Sequence, residues 1–313
     1  MHSHFFSAPT VASLAVSNLG SILMKGTRQL RTVGQWCMKE SKQEMCHEIH
    51  NVVFELTNPL ACMTTQHSLG AEIETEDYLL GLNPGYTHLG PWSFYDRWRD
   101  KTTGVYPYAY GSRGGVYLTD IIDLLKKDDT SRHAHIALRS NHIDLHNDFV
   151  PCTLSWSFQV IDGKLDMTSV LRSQDACRGF FLDMFAYPVI QMVVASALGI
   201  PIGKYYHILL NSHVYESDLD LAQRIFDNIR HLGNIGRAEL TDFDRYWMKS
   251  ISQNIFVNRD FAYVEKYINE RLSSFWQLWK KNQLIWARTK YEYGEKTPVE
   301  LTMAGPVVGR IEK

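Results

Sequence analysis

From Leu154 to Leu171 the chain alternates apolar and polar residues on both sides of an Asp162-Gly163 dipeptide. Leu154, Trp156, Phe158 and Val160 mark the first limb; Leu165, Met167, Ser169 and Leu171 mark the second. Period-two alternation around Asp-Gly predicts a β-hairpin closed by a two-residue turn, and it constrains what lies beyond each limb. If Ile161 pairs with Lys164, Cys152 falls opposite Ser173 and beside Arg172. A thiol held next to a guanidinium has a depressed pKa, and the thiolate is the nucleophilic form. The alternative is a small buried cysteine at a strand start, with Arg172 in a surface ion pair. For a lone cysteine that is the commoner case.

The rest of the chain frames this site. Its 313 residues, 45% hydrophobic and 12% aromatic, suffice for one large core or two modest ones. A net charge of −2 gives no sign of non-specific nucleic-acid binding. Cys37, Cys46, Cys62, Cys152 and Cys177 are odd in number and contain no CxxC pair. That pattern argues against a disulfide framework or zinc knuckle and for a reducing compartment, the cytoplasm or a host's cytoplasm. The apolar run Val11 to Leu23 has no preceding Lys or Arg and reads as a helix, not a signal peptide. Met184 to Ile202 is long enough to tempt a membrane-span reading. It contains Tyr187, Pro188, Gln191 and Ser196, and reads as a helix buried in a core.

Three stretches are expected. Residues 1–60 read as a mostly helical extension with a strand at Asn51 to Leu56, residues 61–220 as a mixed α/β catalytic core, and residues 221–313 as a helical region. All three are read as one catalytic domain. In the last stretch Leu272, Phe275, Trp276, Trp279, Gln283 and Trp286 recur at helical spacing. The expectation there is an aromatic stripe on the core, with Lys280, Lys281, Arg288 and Lys290 on a solvated face. His133, His135, His142 and His146 lie near Asp144 and Asp148, but without a recognised metal-ligand spacing, so no metal is expected.

Pro151-Cys152, Asp162-Gly163-Lys164-Leu165, Arg172-Ser173-x-Asp175-x-x-x-Gly179-x-x-x-Asp183 and His213-x-Tyr215 together resemble the active-site core of the thymidylate synthase superfamily. The resemblance runs from about Asp77 to Tyr215. It implies an α/β (α+β) fold: a mixed sheet packed by helices, with one sheet face forming a dimer. It also implies one-carbon transfer from 5,10-methylenetetrahydrofolate to C5 of a pyrimidine nucleoside monophosphate. Cys152 then matches the nucleophile that adds to C6, and Arg172 and Ser173 match the phosphate contacts. Asp175 matches the carboxylate that works with water and the pterin. His213 and Tyr215, two apart on a strand and so on one face, match the pair that bonds the sugar hydroxyl. Arg132-His133 matches the dipeptide that a partner subunit of an obligate homodimer brings to the phosphate, with His133 departing from the usual second arginine. Glu76-Asp77 loosely matches the segment with an active-site carboxylate, and either residue could fill that role. Tyr95, Trp98, Tyr110 and Gly179 fall where the family contacts folate. Thr153 and Ser157 depart from the methylating synthases. Arg28, Arg31 and Arg113 are the candidates for an amino-terminal phosphate arginine.

Asp183 is the most informative departure. Uracil-directed members of the family carry Asn there, and an amide offers one donor and one acceptor to O4 and N3–H. A carboxylate instead accepts from the cytosine N4 amino group and from protonated N3. The alternative is that Asp183 only caps the following helix. The resemblance thus points to the cytidylate-directed branch, whose members are chiefly hydroxymethylases. The implied reaction is 5-hydroxymethylation of deoxycytidylate (dCMP), with cytidylate (CMP) also open. C5-methylation of dCMP or dUMP is the alternative. A catalytically inactive nucleotide- or RNA-binding relative is a third reading, and no membrane partner is expected.

Overall fold

The computed structural model describes residues 3–32, 43–83, 99–100, 102–106, 108–145 and 150–291. The chain begins β1 (His4–Ala8), α1 (Val11–Lys25), β2 (Thr27–Thr32), β3 (Gln43–Leu56) and β4 (Met63–Thr64). It continues through α2 (Leu69–Leu79), α3 (Tyr110–Arg113), α4 (Leu118–Lys127), β5 (His135–Ala137) and α5 (Asn141–Asp144). The central stretch is β6 (Thr153–Ile161), β7 (Lys164–Leu171), β8 (Gln174–Asp175), α6 (Gly179–Leu198) and β9 (Ile202–Tyr215). It ends with α7 (Leu219–Asn228), β10 (His231–Gly233), α8 (Asp242–Gln253), α9 (Phe261–Arg271) and α10 (Ser274–Tyr291).

Among the described residues the main sheet has eight strands and runs β1-β3-β9-β7-β6-β5, with β2 on β3 and β8 on β9. It is mixed: β1–β3, β7–β9 and β8–β9 are parallel, and β3–β9, β6–β7 and β5–β6 are antiparallel. Helix α1 packs on β3 and β9, α6 packs on β7 and β9, and the two helices touch, so both cover one sheet face. The expected α/β architecture is therefore present. The 1–60 stretch is corrected, because its described part holds β1, β2 and the 14-residue β3 around one helix. Burial of Glu48 breaks the apolar alternation of β3 and hid it from a pattern reading.

The hairpin forms as the alternation requires. Asp162 and Gly163 both take positive φ, 49° and 70°, the backbone of a tight hairpin turn. Ile161 pairs with Lys164, and the expected register holds as far as Ser155–Val170. It then slips at Leu154, so that Thr153 faces Leu171. An extra residue on one strand is a β-bulge, a common device near functional sites. Its consequence corrects the sequence expectation: Arg172, not Ser173, lies across from Cys152, and the Arg172 N–H donates to the Cys152 carbonyl at 2.9 Å.

Helix α6 is the buried apolar helix expected there, and 78% of its most apolar window is buried. It ends at Gly199, whose φ of 70° closes the last turn. The carboxyl-terminal helices form as the aromatic spacing predicts, with Trp276, Trp279 and Trp286 buried on α10.

Candidate active site

Cys152 is half-buried at the start of β6. Two side chains hold the backbone around it. The Tyr110 hydroxyl accepts from the N–H groups of Cys152 and Thr153, each at 3.0 Å. Arg172 donates Nε to the Pro151 carbonyl at 3.0 Å and Nη2 to the Val150 carbonyl at 2.8 Å. The guanidinium does lower the thiol pKa, but burial acts more strongly in the other direction and the Asp183 charge adds to it. The thiol is raised overall, so the expectation of a depressed pKa is corrected.

A second cluster sits at the ends of β8 and β9. Asp175 pairs with His213 in the parallel β8–β9 ladder. Ser173 Oγ donates to Asn211 Oδ1 and lies near His213 Nδ1, both at 3.3 Å. His213 packs on Tyr215 with ring centroids 4.9 Å apart, as expected for two residues sharing a strand face. Asp175 Oδ1 accepts from the N–H groups of Cys177 at 2.7 Å and Arg178 at 3.2 Å, while Arg178 forks onto Asp218. Of the three candidate amino-terminal arginines, Arg31 reaches this cluster. It pairs with Glu48, which also accepts from Asn211 Nδ2 at 2.9 Å. Arg113 is instead bidentate on Asp144 and Arg28 pairs with Glu216.

Asp183 lies one turn into α6 and is half-buried. Its Oδ2 accepts from Gln174 Nε2 at 2.6 Å. Burial pushes its carboxyl up to about 7, against hydrogen bonding from Tyr187 and Gln174. The Asp183 charge is felt at Cys152, Tyr110, Tyr78 and Glu74, and raises each of them. These side chains therefore lie around Asp183, which stands inside α6 and not at its N-cap, a position held by Arg178.

Glu74 is the residue that sequence reasoning missed. Residues 74 and 78 share a face of α2, and the Tyr78 hydroxyl donates to Glu74 Oε1. Tyr78 in turn packs against Tyr110, with centroids 5.4 Å apart. Burial pushes the Glu74 carboxyl up to about 8, with Asp183 and Asp77 adding to the rise. Its Oε2 is buried without a hydrogen-bond partner among the described residues. Asp77 is buried on the same helix and influences Glu74, and its carbonyl lies 2.4 Å from where a Cβ on Gly111 would stand. Only a glycine lets α3, with Tyr110, press this closely on α2.

Glu76 faces the other way, which corrects its candidacy. Lys280 Nζ donates to Glu76 Oε2 at 2.5 Å, Gln283 Nε2 donates to the same oxygen at 2.9 Å, and Ser252 Oγ donates to Oε1 at 2.6 Å. Lys280 is 0% exposed, so the solvated basic face expected of α10 is corrected at this position. Its interior charge ties α10 to the helix that carries Glu74.

The remaining candidates separate cleanly. Arg132 and His133 are exposed just before edge strand β5, apart from the Cys152 cluster. Gly179 opens α6, where an added Cβ would meet only Gln174 Cγ at 3.6 Å, so packing does not require glycine. Tyr95 and Trp98 lie outside the described residues. Among the described residues no group of His, Cys, Asp and Glu could hold a metal ion.

A cysteine at the start of a strand, an arginine across the ladder, a histidine–tyrosine pair and the half-buried carboxyls of Glu74 and Asp183 make up the candidate site. The thymidylate synthase family model matches residues 83–253, and the chain belongs to that family. It is 26% identical over 191 residues to a protein of Methanocaldococcus jannaschii named "Putative thymidylate synthase", covering 59% of this chain and 82% of that one. A protein of the same name from Methanothermobacter marburgensis is 25% identical over 198 residues, covering 61% and 87%. The fold is similar to thermostable thymidylate synthase A from Bacillus subtilis, with a TM-score of 0.60 at 19% identity, covering 70% of this chain and 84% of that one.

Proposed function

We propose that this protein hydroxymethylates C5 of a cytosine nucleotide, deoxycytidylate in preference to cytidylate, through a Cys152 adduct at C6. The carrying observation is Asp183: a carboxylate within the field of Cys152, whose Oδ2 already accepts from Gln174. A carboxylate accepts from the cytosine N4 amino group, and it stabilises positive charge at N3 as the thiolate adds.

C5 of an aromatic pyrimidine is a weak nucleophile. Adding the Cys152 thiolate to C6 breaks the conjugation and places the electron pair at C5. Bound methylenetetrahydrofolate supplies a one-carbon unit at the oxidation level of formaldehyde for C5 to attack. The unpartnered Glu74 Oε2 and the unfilled side of Gly179 fit a co-substrate beside the thiol. Glu74, half-buried and raised to about 8, is suited to hold the proton or water exchanged near C5. Loss of the C5 proton would expel tetrahydrofolate by breaking its bond to the transferred carbon, water would add to that exocyclic carbon, and the Cys152 sulfur would then leave C6 as thiolate. Arg172, Ser173 and Arg31 are the proposed phosphate contacts of this subunit, and His213 and Tyr215 the sugar contacts. Asp175, Tyr110 and Gly179 would flank the pterin, and Asp77 backs Glu74.

The uncovered sheet face carries Val53, Val170, Ile208 and Leu210, none fully buried in one chain. A second copy is the proposed cover, and it would bring Arg132 and His133 to the phosphate. The proposed location is the cytoplasm, consistent with the free thiols of Cys46, Cys62, Cys152 and Cys177.

One observation favours a second reading. Asp183 is raised to about 7, and a protonated carboxyl offers one donor and one acceptor, as an amide does. Below that pH the site would suit uracil, and methylation of deoxyuridylate would follow. Asp183→Asn tests the assignment: the ratio of kcat/KM for deoxycytidylate over deoxyuridylate should fall about 100-fold or more. An unchanged ratio would contradict it. Glu74→Gln should lower kcat by about 100- to 10,000-fold while nucleotide affinity changes by less than about threefold. Single-turnover kinetics with direct binding measurements separate the two, and a loss confined to affinity would remove Glu74 from the chemistry.

A further inference from the structure

Behind Asp183 runs a chain of buried polar groups that the steps above leave unused. Gln174 Nε2 donates to Asp183 Oδ2 at 2.6 Å, and Gln174 Oε1 lies 2.9 Å from His207 Nε2. His207 Nδ1 lies 2.6 Å from the Tyr205 hydroxyl and 2.8 Å from Ser169 Oγ, and those two hydroxyls are 2.5 Å apart. Gln174 is 4% exposed and the other three are 0% exposed. The sheet assembles them, since Ser169 pairs with His207 across β7–β9 and Gln174 rides on β8 beside β9. Buried polar groups are costly unless each is satisfied, and here each finds a partner.

The chain has a direction. Burial drives the His207 imidazole down to about 3, so it is neutral and carries one N–H. With that proton on Nε2, it donates to Gln174 Oε1, while Nδ1 accepts from a hydroxyl. The glutamine amide must then turn its NH2 toward Asp183, which favours an ionised carboxylate. The opposite amide orientation would set Gln174 Oε1 against Asp183 and require a protonated carboxyl.

We propose that Gln174 and His207 are positioning residues for base selection: the relay fixes an N–H donor on Asp183 and keeps it an acceptor-only group toward the nucleotide. The proposal rests on reading Asp183 as the base-recognising residue. Other titratable groups also face Asp183: Glu74 and Tyr78 from α2, Tyr110 from α3, Cys152 from β6, Tyr187 from its own helix and Tyr205 from β9. The test therefore compares variants in one background, repeated with Glu74→Gln to remove the carboxyl that Asp183 influences.

The experiment is the pH profile of kcat/KM for deoxycytidylate and deoxyuridylate in the wild type, Gln174→Met and His207→Phe, each first checked for folding by circular dichroism. Losing the N–H donor raises the Asp183 pKa, so the ionised form is reached only at higher pH. The acid limb for deoxycytidylate should move alkaline by about one unit in Gln174→Met. At a fixed pH below the limb that is about a tenfold loss, with deoxyuridylate use rising. His207→Phe should move the limb in the same direction by less. A purely structural role would lower rates without moving the limb. Folded variants with an unmoved limb and an unchanged base ratio would overturn the proposal, and loss of folding in both would assign the relay to the core and overturn it too. A wild type that prefers deoxyuridylate would remove the cytosine assignment alone, because the relay would still show as an alkaline shift of the descending limb.

Discussion

Cys152→Ala is expected to abolish nucleotide turnover, with a loss of about 10,000-fold or more, while the folded state persists. The expectation follows from the lack of a substitute among the described residues. Cys46, Cys62 and Cys177 are all buried, and burial raises each thiol, Cys46 to about 11 and Cys62 to about 12. None can offer a thiolate to C6. The backbone around position 152 is held by Tyr110 and Arg172 through main-chain atoms, so removing Sγ leaves that scaffold intact. Because burial raises the Cys152 thiol, alkylation of the free protein should increase with pH through a midpoint above that of an ordinary cysteine. Mass-resolved alkylation at Cys152, alongside turnover of the alanine variant, checks both statements. Substantial turnover without the thiol would remove covalent catalysis from the account.

Lys280→Met is expected to carry the largest stability penalty, about 3–5 kcal/mol, because it strands the buried Glu76 carboxylate. Glu76 is 1% exposed and its donors besides Lys280 are neutral: Ser252 and Gln283. A methionine fills the volume but leaves the charge uncompensated. The double variant Lys280→Met with Glu76→Gln should recover much of the loss, since replacing both members of a buried pair is far cheaper than breaking it. Denaturant melts of the three proteins measure this coupling. If the single variant loses less than about 1 kcal/mol, Lys280 does not hold α10 to α2, as surface pairs of that size do not.

The contrast between these residues shows what the sequence made legible. The hairpin, the buried α6 and the aromatic stripe of α10 were readable because each is a local pattern, with period two around Asp162-Gly163 or helical spacing of apolar residues. The bulge at Leu154 was not, since a one-residue slip leaves no mark on composition and yet exchanges the partners of Cys152. Lys280 looked like a surface charge because its partner Glu76 lies 204 residues away. Glu74 was missed for a related reason. A carboxylate's direction on α2 depends on which helix face meets α10 and which meets Tyr110. Glu76 and Glu72 share the α10 face, contacting Lys280 and Asn282, and Glu74 is left to face Tyr78 and Asp183. The i,i+4 pairing of Glu74 with Tyr78 was the available signal. The site motifs themselves were legible because Cys152, Arg172, Asp175, Asp183 and His213 occur in a fixed order, and the sheet brings their strands together.

The most direct test is mass spectrometry of nucleotides after incubation with methylenetetrahydrofolate, with deoxycytidylate, cytidylate and deoxyuridylate competing in one tube and Cys152→Ala as the control. The expected product is a hydroxymethyl group on deoxycytidylate, absent from the control. A methyl group, or modification of deoxyuridylate alone, would contradict it.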